Sequence, residues 1–196
     1  MGFSDYKRDL AAPGAFNPFW ILDRYFHCGQ THAFAEAHPD EEPLFKGQLA
    51  RGLYDALGIE LHPLQFVFCG SAHLGFSPVP TNEKFGKPFN PATSDIDVAV
   101  VSSDLFDTWW GELQSIELLE AVRRKIAEDI FWGFINPANA WDVSPIGRKW
   151  WTAFGRIETK RANGVRGRLY RNHWSMQSYH LLAINGGRKR LLGKRI

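Results

Sequence analysis

The sequence predicts an α+β domain built on a small mixed sheet, and three observations carry that reading. Two short runs, QFVFC at 65–69 and DIDVAVVS at 95–102, are rich in β-branched and aromatic residues, as strands are. Long stretches around them carry apolar residues at helical spacing, PLFKGQLARGLYDAL at 43–57 being the clearest. The resulting order, α-α-β-loop-β-α-α-β-α, mixes both element types within one chain.

The elements follow in turn. Asn17 can cap a helix over about 17–27, with Pro18 at its first position. The acidic stretch HPDEEP at 38–43 interrupts, and a second helix runs to Gly58, with Leu44, Phe45, Gln48, Leu49, Leu53 and Leu57 along it. After the strand at 65–69 comes a long polar loop, then the strand at 95–102. Ser103 and Asp104 open a third helical region through SDLFDTWWGELQSIELLEAVRRKIAEDIFWGF, where Gly111 marks the expected break. IGRKWWTAF reads as a helix or turn, GVRGRLYR at 164–171 as a strand, and SMQSYHLLAI as a helix starting near Ser175. Gly186 and Gly187 are expected to end that helix and leave a mobile basic tail at about 186–196. No repeat or Pro/Ser/Gly-rich hinge divides the chain, so residues 1–196 read as one domain with a helical N-terminal segment of about 1–60.

Composition narrows the function classes. Hydrophobic content of 44% and charged content of 22% are those of a soluble globular protein. No apolar run approaches the ~20 residues that a membrane-spanning helix needs, and the start of the chain lacks the apolar core of a secretory signal. Cys28 and Cys69 form no disulfide framework and no metal spacing, which suits a reducing cytoplasm. Aromatics reach 14%, with 8 Trp, supplying either a large core or stacking and partner surfaces. The net charge of +2 conceals a division. Residues 1–144 hold 10 Lys+Arg against 20 Asp+Glu, and residues 145–196 hold 13 against the single acid Glu158. Either the two parts attract each other, or the basic end meets phosphate.

The chemistry concentrates in two pieces: Gly70-Ser71 directly after one strand, and Asp95-Ile96-Asp97 at the start of the next. Alternation puts Asp95 and Asp97 on one face of their strand, ~7 Å apart at Cα, with Ile96 turned into the core. Two carboxylates 4–5 Å apart repel by roughly 3–4 kcal/mol at an effective dielectric near 20. A bridging divalent cation offsets that, and oxygen donors of this kind suit Mg²⁺ or Mn²⁺ with nucleotide phosphates completing the shell. Gly70 lets the backbone approach a phosphate and Ser71 offers it a hydroxyl. A lone histidine such as His73 reads as a loop residue, and His173 and His180, seven apart, as residues of a helix surface.

GS at a strand end, followed by SDIDVAVV, resembles the polymerase-β-type nucleotidyltransferase superfamily, including aminoglycoside and small antitoxin-like nucleotidyltransferases. The longer wording GSAHLGFSP…SDIDVAVVSSDLF resembles a bacterial family of small nucleotidyltransferase-like proteins. The resemblance covers residues 66–110. It implies a nucleotidyltransferase fold, an NTP as substrate, Asp95 and Asp97 as catalytic metal ligands, and Gly70 and Ser71 on the nucleotide. The chain departs from the pattern twice. The 24 positions from Ser71 to Asp95 exceed the usual short loop and form a flap, whose Lys84 and Lys87 can meet phosphates. Of Phe76, Phe85 and Phe89 in that flap, at least two are expected to anchor it. Active members also carry a third carboxylate on a neighbouring strand, but GVRGRLYR has no acid, leaving Asp142 and Glu158 as substitutes by local pattern. Arg166 and Arg168 share one face of that strand, and they either line the site or form a solvated basic face.

The expected function is therefore transfer of an NMP group to a hydroxyl on RNA, protein or a small molecule. The alternatives are a catalytically silent nucleotide or nucleic-acid binder, and a partner protein of a toxin or defence system. RNA, if bound, is expected to meet the basic C-terminal region.

Overall fold

A computed structural model of the chain describes residues 2–12, 16–81 and 83–193. Helix α1 (Phe3–Ala11) is followed by α2 (Pro18–Leu22), where the Asn17 side chain accepts from the Phe19 and Trp20 amides, and by a π-helical turn at Asp23–His27. A 3-10 turn at His32–Phe34 precedes α3 (Glu41–Leu57), which stops at Gly58 in the left-handed region. Strand β1 (Phe66–Cys69) runs into the short helix α4 (Gly70–Leu74). The flap follows, then β2 (Asp95–Val101), α5 (Ser103–Ser115) and α6 (Glu120–Phe131). Strand β3 (Phe134–Ile135), α7 (Pro137–Ala140), α8 (Pro145–Gly155), β4 (Gly164–Tyr170) and α9 (His173–Leu191) complete the chain.

The result is the expected α+β class: a four-stranded mixed sheet, ordered β1-β2-β4-β3, flanked by helices. β1 is antiparallel to β2, β2 parallel to β4, and β3 antiparallel to β4. Among the described residues the two-residue β3 pairs only with Leu169 and Tyr170, and no strand lies on the outer side of 164–168. Alternation along β2 separates two environments. Ile96, Val98 and Val100 enter the main core with Phe45, Leu49, Leu53, Phe68, Trp109 and Trp150. Ala99 and Val101, on the face that carries Asp95 and Asp97, join a smaller cluster with Phe134, Tyr170 and Met176 of α9. A third cluster ties α1 and α2 to α9 and the flap through Tyr6, Leu10, Ile21, Phe26, Phe76 and Ile184.

The flap is anchored as expected. Phe76 is buried, Phe3 packs on both Phe76 and Phe85 with ring centroids 5.1 Å apart, and Phe89 meets the His32 ring edge-on. The charge division is likewise expressed inside the fold. Arg161 donates from Nε and Nη2 to the two Glu41 carboxylate oxygens at 2.7 and 2.8 Å, Arg166 pairs with Asp95, and Arg171 pairs with Asp107.

Four expectations are corrected. Gly111 does not break a helix: it lies inside α5, where open space surrounds it, and the interruption comes at Ile116, where the backbone turns extended. Gly186 and Gly187 do not end α9, which continues to Leu191. They are glycines because the flap packs against them; a Cβ on Gly186 would stand 2.7 Å from Pro80 Cγ, and one on Gly187 3.1 Å from Phe85. The C-terminal basic residues are not a tail up to that point, since Arg188 stacks on Phe16 at 4.0 Å and Arg190 on Phe85 at 5.5 Å. Lys194, Arg195 and Ile196 lie outside the described residues. Finally, His180 is not on the helix surface: it is 5% exposed and packs on Phe26 at 5.1 Å, while His173 is exposed. Burial drives its pKa down to about 3, so the ring is neutral at physiological pH.

The two kinds of helical glycine respond oppositely to a methyl group. Gly111→Ala is expected to stabilise by up to about 1 kcal/mol, because alanine is the better helix former and nothing obstructs it. Gly186→Ala is expected to destabilise by about 1–2 kcal/mol, since overpacking against Pro80 outweighs the same gain. Urea denaturation of both variants checks this, and stabilisation by Gly186→Ala would contradict the packing of the flap on α9.

Candidate functional site

The parallel pairing of β2 with β4 builds the site. Its register sets Asp95 beside Gly164, Asp97 beside Arg166, and Ala99 beside Arg168. Neighbours in register share a face, so two acids of one strand meet two arginines of the next. From the other side, Cys69 at the end of β1 pairs with Asp97. The chain then turns through Gly70 at φ 64°, where a Cβ would lie 2.6 Å from Asp97 Oδ2. Gly70 is thus required for its left-handed backbone, and its missing Cβ leaves room for the carboxylate to approach.

These residues open on a cavity of about 720 Å³. Gly70, Asp97, Arg166 and Arg168 line it from the sheet, and Pro78, Val79, Pro80 and Lys84 from the flap. Trp150, Trp151 and Phe154 of α8 form one wall, and Tyr179, His180, Leu182 and Ala183 of α9 another, with α7 at the rim. Of the residues singled out in the sequence, Gly70, Asp97 and Lys84 come together here. Ser71 lies within α4, Lys87 is on the exposed side of the flap, and Asp95 sits half-buried beside the cavity without lining it. Neither Asp142 nor Glu158 supplies a third carboxylate: Asp142 is exposed in the turn before α8, and Glu158 lines a different groove. The position facing Asp97 in the register holds Arg166 instead.

The electrostatics are unusual for so small a volume. Arg166 Nε lies 2.7 Å from Asp95 Oδ2, so the repulsion between the two acids is offset from within the chain. Asp97 accepts no hydrogen bond through its carboxylate from the described residues and lies in no ion pair with them, although Arg168, Arg166 and Lys84 surround it. Its side chain is exposed at the mouth of the cavity, and the protein groups crowded around it replace part of its hydration. That desolvation raises its pKa from 3.8 to about 6, with Asp95 adding to the rise and Arg168 opposing it. Arg168 is the counterpart. Its guanidinium lies 4.4 Å from the Tyr179 ring centre and 5.4 Å from that of Phe134, and meets the Tyr179 and Tyr170 hydroxyls. No carboxylate among the described residues is within ion-pair distance of it. The neighbouring Cys69 thiol, pushed by burial to about 12, stays protonated.

No group of three His, Cys, Asp or Glu capable of holding a metal exists among the described residues, so an all-protein cage does not form. A hydrated Mg²⁺ or Mn²⁺ that draws on one or two carboxylates, with phosphate and water for the rest, fits Asp97 together with the Asp95 oxygen not held by Arg166. The sequence missed the aromatic walls and His180. The signal for the former was present, in a Trp150-Trp151 doublet directly after Arg148-Lys149, but nothing in the sequence sets that doublet opposite the Asp95–Asp97 strand.

No protein-family model, curated protein or solved structure matches the chain. Among the described residues, no helix is long and apolar enough to cross a membrane.

The raised pKa of Asp97 has a thermodynamic sign. Between pH ~4 and ~6 the folded protein binds more protons at this residue than the unfolded chain does. Its contribution therefore lowers stability as pH rises through that window. In metal-free buffer, Asp97→Asn is expected to be more stable than the parent at pH 7.5, by about 1 kcal/mol once solvent contact is allowed for. The difference should vanish near pH 4. Thermal unfolding at both pH values measures it, and a pH-independent difference would remove the cause assigned here.

Proposed function

We propose that the cavity binds a nucleoside triphosphate with Mg²⁺ or Mn²⁺, and that the chain is a nucleotidyltransferase-like protein of the polymerase-β type. One observation carries this reading. An uncommitted carboxylate, Asp97, and a guanidinium without a carboxylate partner, Arg168, line the same cavity together with aromatic rings. A carboxylate in that state suits a hard cation, and a cation in that state suits phosphate. The indole and phenol rings offer faces to a base.

In this reading Arg168 and Lys84 hold phosphate oxygens, and Asp97 and Asp95 hold the divalent ion. Held there, such an ion would supply neutralisation of the charge that develops on the phosphates. The tyrosines fix the plane of the Arg168 guanidinium, so its geometry does not have to be created on binding. Transfer would join an acceptor hydroxyl oxygen to the α-phosphorus and break the bond to the bridging oxygen. Pyrophosphate leaves with that electron pair, and the hydroxyl proton passes to water.

A second reading, binding without turnover, is favoured by one feature: Arg166 stands in register opposite Asp97 and pairs with Asp95. Asp97 is then the single acid of the cavity wall among the described residues.

Calorimetry with ATP, GTP, CTP and UTP and Mg²⁺ separates the possibilities, followed by incubation of the labelled nucleotides with RNA and protein acceptors. Arg168→Gln is expected to weaken triphosphate binding about tenfold to a hundredfold, the scale of a charge-assisted contact. Asp97→Asn should abolish the dependence on the divalent ion while leaving weak metal-free binding. Transfer of label establishes the enzyme, and binding alone establishes the silent binder. No nucleotide binding by the unaltered protein would end both.

A further inference from the structure

Helix α8 is a ridge between two depressions. One side, with Trp150, Trp151 and Phe154, walls the cavity that contains Asp97. The other side borders a separate groove of about 1350 Å³ between α3 and α8, into which Arg148, Lys149 and Arg156 project. Asp40, Asp55 and Glu158 also line this groove, but among the described residues none of these three cations has a carboxylate within ion-pair distance: Arg148 donates to the Asp142 carbonyl, and the groove's other cation, Arg51, is held by Asp55 at 2.9 Å. Trp151 stacks on Trp141 with ring centroids 5.5 Å apart and planes 30° from parallel. Both indoles are 40% exposed or more, although large aromatic rings of this kind are ordinarily buried.

We infer that the ridge of α8 binds single-stranded nucleic acid that crosses it, from the cations Lys149 and Arg156 on the groove side to the Trp141–Trp151 pair on the other, and whose end enters the cavity. This deepens the nucleotidyltransferase-like reading and rests on it for the role of that end. The match is one of chemistry. A flexible polyanion with flat apolar bases needs unpaired cations for its phosphates and exposed ring faces for its bases, a combination that tolerates any sequence. A duplex hides its base faces. A protein partner would not by itself call for cations along a groove.

The test uses the full chain with fluorescein-labelled 12-nucleotide oligo(rA) and oligo(dT), titrated at several salt concentrations, alongside calorimetry with nucleotide and Mg²⁺. The unaltered protein should bind the single strands, and a duplex of equal length more weakly. Trp141→Ala, which removes no residue that lines the cavity, should weaken strand binding about tenfold, the effect of losing one stacked base. Lys149→Gln/Arg156→Gln should make the log–log salt dependence shallower by about 1.4, at about 0.7 for each lost phosphate contact. Neither variant should alter nucleotide binding, and thermal unfolding verifies that both are folded. Absence of strand binding at 50 mM salt, or folded variants that bind like the parent, would overturn the inference. Strand binding without nucleotide binding would leave the surface standing and remove the nucleotide reading, and the reverse result would do the opposite.

Discussion

Everything notable about this molecule depends on the parallel register of β2 against β4. Parallel strands carry their side chains in step, so a one-residue slip would have turned Arg166 and Arg168 away from the face that bears Asp95 and Asp97. In the register adopted, one acid is neutralised and the other left open. Arg166 takes Asp95, while Arg168 is held on Tyr179 and Phe134, too far to close on Asp97. The aromatic clamp is what preserves a free charge of each sign within one cavity.

The rest of the fold supports that arrangement. Gly70 brings the backbone against Asp97 where any side chain would collide. The flap, pinned by Phe3, Phe76 and Phe85, brings Lys84 to the cavity, and the paired glycines of α9 let it lie against that helix. The buried, neutral His180 belongs to the same packing, joining α9 to Phe26 of the N-terminal helical part. The site is therefore assembled from elements far apart in the chain, and the charge division between the two parts of the sequence is spent partly on this closure. Arg161 on Glu41 and Arg171 on Asp107 are contacts between basic C-terminal residues and acidic earlier ones.

Helix α8 shows how far local reading reaches. Its doublet of tryptophans and its cations were evident as residue types, but a helix exposes several faces, and only the packing of Trp150 under the sheet decides which one is left. Trp150 went to the core, where its indole N–H donates to the Gly167 carbonyl, while Trp151 stayed half in solvent against Trp141. The same limit produced the errors at Gly111 and Gly186. A glycine signals a helix stop only when its neighbours leave it free to turn, and the flap packed against α9 is not visible from residue 186.

What the sequence determined by itself was local. Strand alternation set Asp95 and Asp97 on one face, Asn17 and Gly58 bounded helices, and runs rich in β-branched and aromatic residues marked β1 and β2. These follow from backbone sterics and side-chain capping, which act over a few residues. The tertiary structure alone decided that Arg166 stands where a third acid was sought, that Arg168 joins Asp97 in one cavity, and that Lys84 reaches the cavity while Lys87 does not. Those outcomes depend on strand order and on the path of the flap. Both are set by which apolar faces bury one another across the whole chain, and that competition has no local signature.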